Sequence, residues 1–282
     1  GTAPGIIIDK NQKIMVLLPG PPIEMKPLFD QQVFPYLRKK QTEVIYSTTL
    51  KIVGSGESYV EMSIRDLIDR QTNPTIATYA KTGEVHLRLT AKAENEKKAK
   101  ELITPVRLEL EKRFETQIYT EDEEETLEMA LVRLLYDHNL TVTTAESCTG
   151  GAIAARIVNV SGASSVFRQG YITYANEAKQ NMIGVKGETL TRYGAVSEQT
   201  AREMSEGAAC TAGCDCALPV TGIAGPTGGT KEKPVGLVYI GCTCRGKTSV
   251  RELHFSGNRG KIREQTVVTA LAFLRECILN SL

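Results

Sequence analysis

The spacing of apolar positions changes several times along the chain, and each change marks an element. IIID and KIMVLLPG read as two short strands, and the PGPP cluster stops the second. PPIEMKPLFDQQVFPYL then reads as a helix, with Met25, Phe29, Val33 and Leu37 at near-helical spacing. A hairpin and one helix bury too little to stand alone. Residues 1–42, opening on the turn cluster GTAPG, are therefore expected to be the remnant of a larger domain, cut or naturally shortened.

From about Glu43 the pattern resets. EVIYSTTLKIVG is a strand, GESYVEMSIRDLID a helix, and PTIATYAK and EVHLRLTAKA are strands joined by Lys81-Thr82-Gly83. ENEKKAKELITPVRLELEKRF is a helix with a bend at Pro105. This β-α-β-β-α order predicts a small two-layer α+β domain over residues 43–120. Its second helix mixes Glu with Lys and Arg, which reads as a solvated face rather than an RNA-binding stripe.

The acidic run Glu121–Glu125 opens the third region and suits the first turn of a helix, where negative charge favours the macrodipole. Leu127, Leu131, Leu134 and Leu135 continue the apolar stripe, and Asn139 suits its end. Strand LTVTTA, helix GGAIAARIVNV and a strand in FRQGYITYA follow, then a helical NEAKQNMIG and the turn-rich ETLTRYGAVS. Ser197 is placed to cap helix SEQTAREMSEGAA, with Val196 and Ala201 as a hydrophobic staple. CALPVTG, KPVGLVYIGCTC and SVRELHF read as strands, and the last helix carries Val267, Leu271, Leu274 and Ile278 on one face. Alternating strands and helices over residues 121–282 predict a three-layer α/β domain.

Composition narrows the function classes. A formal net charge of +1 provides no global pull toward nucleic acid or membrane. No apolar run approaches the roughly 20 residues that span a bilayer, and Gly1 begins no signal-peptide pattern. The Cys214/Cys216 and Cys242/Cys244 pairs depart from the spacing of structural zinc sites. They are expected to be reduced thiols of a cytoplasmic protein, with no metal.

Four stretches could carry chemistry. TTAESCTGGA lies between a strand and a helix, where a side chain stands above the carboxyl end of a sheet and backbone N–H groups face a ligand. Ser147, Cys148 and Thr149 are its nucleophile candidates, and Gly150 and Gly151 permit close approach; a packing turn is equally compatible. The histidines, His86, His138 and His254, have no motif around them, so a Ser–His–Asp triad lacks support. A lysine of lowered pKa is the other way to activate serine, and Lys179 in YITYANEAKQ is the candidate, with Tyr174 as a proton relay. TGIAGPTGG could bring Thr221 and its backbone donors to a ligand, but lacks the Gly-Lys-Ser/Thr ending of a Walker A loop. Arg259, in FSGNRGK at the start of the last helix, suits a phosphate or carboxylate.

Taken together, AESCTGG, TYANEAK, GAVSE, TGIAGPTGG, KPVG and FSGNR resemble the C-terminal domain of the CinA (competence/damage-inducible) family. The middle region resembles that family's KH-like domain, and GTAPG with LPGPPIEM resembles the end of its molybdopterin-binding-like domain. The resemblance implies a Ser/Lys amidohydrolase that converts nicotinamide mononucleotide to nicotinic acid mononucleotide and ammonia, without a cofactor. It implies Ser147, Lys179 and Tyr174 as catalytic residues. Cys148, Thr149, Gly150, Gly151, Thr221, Gly222, Ile223, Ala224, Gly225 and Arg259 would bind substrate, with Thr221 standing where relatives often carry Ser. Backbone N–H groups near Cys148–Gly150, or at Thr221–Gly222, would stabilise the oxyanion; a helix N-terminus, Arg259 or the glycine loops would hold the phosphate. A homodimer is implied, membrane and nucleic-acid partners are not expected, and the family's metal-dependent ADP-ribose pyrophosphatase activity is expected to be missing. Two alternatives stay open: an amidohydrolase that uses Cys148, and a nucleotide- or RNA-binding protein without hydrolytic activity.

Overall fold

A computed structural model describes residues 3–282, so Gly1 and Thr2 of the first turn cluster lie outside it. β1 (Ile6–Lys10) and β2 (Lys13–Leu17) pair as an antiparallel hairpin. α1 (Pro22–Leu28) passes through a π-helical turn, Phe29–Val33, into α2 (Phe34–Lys40). The interruption falls between Pro27 and Pro35, whose rings cannot donate to the helical ladder.

The middle domain holds β3 (Val44–Val53), α3 (Glu57–Ser63), α4 (Arg65–Arg70), β4 (Thr75–Lys81), β5 (Glu84–Ala93), α5 (Glu96–Phe114) and β6 (Ile118–Thr120). Its antiparallel sheet runs β4-β5-β3-β6, and α5 packs Ala99, Ile103, Leu110 and Phe114 into a core with Leu50, Leu87 and Leu89. The expected first helix is two short ones, broken where buried Ile64 leaves helical dihedrals at φ −119°. β6 is too short to leave a periodic signal.

The last region holds α6 (Leu127–Asp137), β7 (Val142–Glu146), α7 (Ala152–Val158), β8 (Phe167–Ile172), α8 (Asn176–Ile183), α9 (Gly187–Tyr193) and α10 (Glu198–Ala212). β9 (Cys216–Gly222), β10 (Leu237–Cys244), β11 (Lys247–His254) and α11 (Arg259–Leu279) complete it. The acidic run lies ahead of α6 rather than in its first turn, because the Thr126 hydroxyl takes the Met129 N–H and starts the helix there. Ser197 caps α10 through the Thr200 N–H, as expected.

The sheet runs β11-β10-β9-β7-β8. β7 is parallel to both β8 and β9, whereas β10 is antiparallel to its two neighbours. Residues of α6, α7 and α11 share one core with Leu218, Val220 and Ile240, and residues of α8, α9 and α10 share another with Ala145 and Tyr171. Helices thus cover both faces, giving three layers. The chain leaves β7 toward one face and β8 toward the other, so a crevice opens at their carboxyl ends, where open α/β sheets bind ligands.

Two ties join this domain to the middle one. Arg275 donates to the carbonyls of Thr116 and Ile118, and the buried Lys51 ammonium to those of Glu123 (2.7 Å) and Glu125 (2.8 Å). The Tyr119 side chain is buried in the core beneath α11.

Candidate active site

β7 is central in the sheet and all five of its residues are buried, although three are Thr or Glu. A buried carboxylate must be matched by donors. Glu146, fully buried, accepts from the N–H groups of Gly151 (3.0 Å), Ile153 (3.0 Å) and Ala154 (2.8 Å) at the start of α7. Sequence reasoning left this residue without a role. It has one: its charge occupies the helix N-terminus that was expected to be open to phosphate, and it ties the strand to the helix across the turn.

Strand alternation then turns Ser147 to the opposite face from Glu146. Its N–H donates to the Val220 carbonyl at 3.0 Å, anchoring the turn to β9. From α8, Lys179 reaches the same point with only 1% of its surface exposed. Its Nζ lies 3.2 Å from Ser147 Oγ, 2.7 Å from the Thr173 carbonyl and 3.2 Å from the Tyr174 carbonyl. Burial lowers the Lys179 pKa below its ordinary value. One hydroxyl and two carbonyls thus surround the buried nitrogen within hydrogen-bond distance. Gly207 lets the elements meet closely, since a Cβ there would sit 1.8 Å from the Ile183 carbonyl oxygen at the end of α8.

Tyr174 does not stand as expected. It touches Lys179 through its backbone carbonyl, while its side chain is 63% exposed and its phenol meets no hydrogen-bond partner among the described residues. An outward phenol offers no relay path in this geometry.

The other nucleophile candidates separate by face. Cys148 points into the core shared with α6, α7 and α11, and burial pushes its thiol up to about 11. Thr149 is fully buried with its hydroxyl unpaired, and Gly150 and Gly151 take left-handed φ values of +62° and +93°. Arg263, absent from the expected set, reaches over from α11. Its Nε donates to the Cys148 carbonyl at 3.1 Å and its Nη2 to the Thr149 carbonyl at 2.7 Å.

The Thr221–Gly225 segment runs beside this turn. Thr221 is buried and its hydroxyl donates to the Ala195 carbonyl at 2.7 Å, fastening the GAVS loop. Gly222 sits against Val238, where a Cβ would come within 2.6 Å. Ile223 donates to the Leu237 carbonyl and accepts from the Gly236 N–H, and Ala224 is in the core. The Gly225 carbonyl accepts from Arg259 Nη1 at 2.9 Å. Lys233 donates to the carbonyls of Tyr193 and Val196, tying the glycine loop to the loop before α10.

The cysteines are free thiols, with Cys216 and Cys244 Sγ 3.4 Å apart across β9 and β10. Among the described residues, no group of three or more His, Cys, Asp or Glu is placed to hold a metal ion. His86 and His254 pair with Glu84 and Glu252.

Fold and site together define a three-layer α/β domain with a buried serine–lysine pair at the carboxyl ends of its parallel strands. Comparison with known proteins makes this specific. The family model described as the CinA C-terminal domain matches residues 124–278, and that of the damage-inducible protein CinA KH domain matches residues 47–120. The chain belongs to the CinA family. A competence-damage inducible protein of Clostridium novyi is 54% identical over 99% of this chain and 67% of its own. A CinA-like protein of Kosmotoga olearia is 52% identical, with 99% and 68% covered. Among solved structures, a competence/damage inducible protein from Agrobacterium tumefaciens is 44% identical over 54% of this chain and 93% of that one, at a TM-score of 0.53. A CinA superfamily protein from Escherichia coli is 31% identical over 58% and 97%, at 0.52.

Proposed function

We propose that the chain hydrolyses the carboxamide of nicotinamide mononucleotide to nicotinic acid mononucleotide and ammonia, with Ser147 as nucleophile and Lys179 as base. One observation carries the reading: a buried lysine, its pKa lowered by burial, lies 3.2 Å from a serine hydroxyl with carbonyls as its other partners. Ser147 Oγ forms a bond to the amide carbon as its proton passes to Lys179 Nζ. The tetrahedral intermediate collapses, the C–N bond breaks, and the Lys179 ammonium returns the proton to the departing nitrogen as ammonia. Water then attacks the acyl ester, giving its proton to Lys179; the C–Oγ bond breaks and the Lys179 ammonium returns that proton to Oγ, restoring the Ser147 hydroxyl and the neutral amine.

Arg259 is the phosphate partner in this reading, since Nη1 is spent on Gly225 and the rest of its fork remains for an anion. Cys148 is disfavoured as nucleophile by a thiol raised to about 11 and turned into the core. A homodimer acting in the cytoplasm on a free nucleotide completes the proposal; among the described residues no helix is long and apolar enough to cross a membrane. The test is ammonia release from nicotinamide mononucleotide by the purified chain, expected to fall by about 10²–10⁴-fold in Lys179→Ala. Unchanged release in that variant removes the lysine from the mechanism.

A further inference from the structure

The turn that carries Ser147 is gripped from behind by two buried or half-buried charges of opposite sign. Glu146 takes N–H groups at the start of α7, and Arg263 takes the carbonyls of Cys148 and Thr149. The second grip has a directional consequence. In a trans peptide the C=O and the following N–H point in opposite directions. Holding the Cys148 carbonyl toward α11 therefore aims the Thr149 N–H away from α11.

The Thr149 N–H is unclaimed. Among the described residues it meets no acceptor, whereas Ser147 donates to Val220, Gly150 to Ser147 and Gly151 to Glu146, and the Cys148 N–H lies against its own sulfur. An unpaired N–H two residues after a nucleophile is the kind of donor that receives an anionic oxygen. Arg263 has no part in substrate contact through these bonds: both donated groups reach main-chain carbonyls. It is anchored by its neighbour Ile262, fully buried in the core, and by the Asn258 cap one turn earlier.

We propose that Arg263 is a positioning residue that sets the Cys148–Thr149 peptide so that the Thr149 N–H serves as an oxyanion donor. The proposal rests on Ser147 as the nucleophile. A guanidinium spans two successive carbonyls in one plane, which the single ammonium of a lysine does not reproduce. Loss of the grip frees the peptide to rotate, and the cost falls on the tetrahedral intermediate rather than on the bound substrate.

The test compares Arg263→Ala and Arg263→Lys with the wild-type chain in two assays. In ammonia release from nicotinamide mononucleotide, Arg263→Ala is expected to lose about 10²-fold in kcat with KM within about threefold. Arg263→Lys is expected to recover only part, and added guanidinium at low millimolar concentration to restore part of the alanine variant's rate. A loss confined to KM, or an unchanged kcat, overturns the proposal. Labelling of Ser147 by a fluorophosphonate probe, followed by mass spectrometry, separates this from the choice of substrate. If the wild type is labelled but releases no ammonia, the nucleotide reading fails, and slower labelling of Arg263→Ala still supports the positioning role. Equal labelling rates in the two chains overturn it. A wild-type chain that is neither labelled nor active overturns both. Thermal melts of each variant show whether a lost rate is only a lost fold.

Discussion

Lys179 illustrates how a single residue sets function against stability. Its folded pKa lies below the ordinary 10.5, with burial the first cause. Between those two values the unfolded chain holds a proton that the folded chain lacks, so raising the pH through that window stabilises the fold. In the proposed mechanism the neutral amine acts as base, so kcat/KM is expected to rise with pH until Lys179 has lost its proton. A profile that falls over that range would remove Lys179 as base. Lys179→Met is expected to abolish ammonia release while raising Tm, since an apolar side chain of similar length fits a buried site without the cost of charge. Glu146 shows the opposite balance. Glu146→Gln replaces a triple acceptor by a group with one oxygen and an NH₂, leaving a buried N–H unmatched. It is expected to lower stability by about 1–3 kcal/mol, read in urea unfolding. Ser147 and Lys179 were legible as a pair in the sequence through the shortage of useful histidines and the family motifs. Glu146 and Arg263 were not: a carboxylate in an all-buried strand breaks the alternation rule, and the arginine acts on a turn more than a hundred residues away.

At the scale of elements, the site depends on how closely α8 is held against α10. Gly207 is the point of contact, where an added Cβ would lie 1.8 Å from the Ile183 carbonyl oxygen. Gly207→Ala is expected to cost about 1–3 kcal/mol by forcing the helices apart. Ammonia release should fall with it, because Lys179 rides on α8; a variant as stable and active as the wild type would show the packing to be loose. Most of these elements were readable from periodicity, including the Ser197 cap of α10 and the buried strands around β9. Two misreadings have plain causes. The acidic run looked like a first helical turn because its charges suit one, but Thr126 offers a better cap and Glu125 turns to Arg133 at 2.8 Å. β6, three residues long, carries too few positions for any period to register.

For the molecule as a whole, the proposed chemistry sits in the last region, and the middle domain meets that region through Arg275, Lys51 and Tyr119. Arg275→Ala is expected to split thermal unfolding into two transitions while ammonia release stays within about threefold, since none of its contacts reaches the Ser147 turn. The strand–helix alternation already placed the Ser147 turn at the carboxyl end of a strand. Which face each loop takes depends on three-dimensional crossovers, and that part needed the structure. The central claim is that Ser147, not the adjacent Cys148, attacks the amide. It is tested most directly by ammonia release from nicotinamide mononucleotide in Ser147→Ala and Cys148→Ala, measured side by side. The expected result is a loss of about 10³-fold or more in Ser147→Ala and a change within about tenfold in Cys148→Ala; activity that survives in the first and vanishes in the second would contradict it.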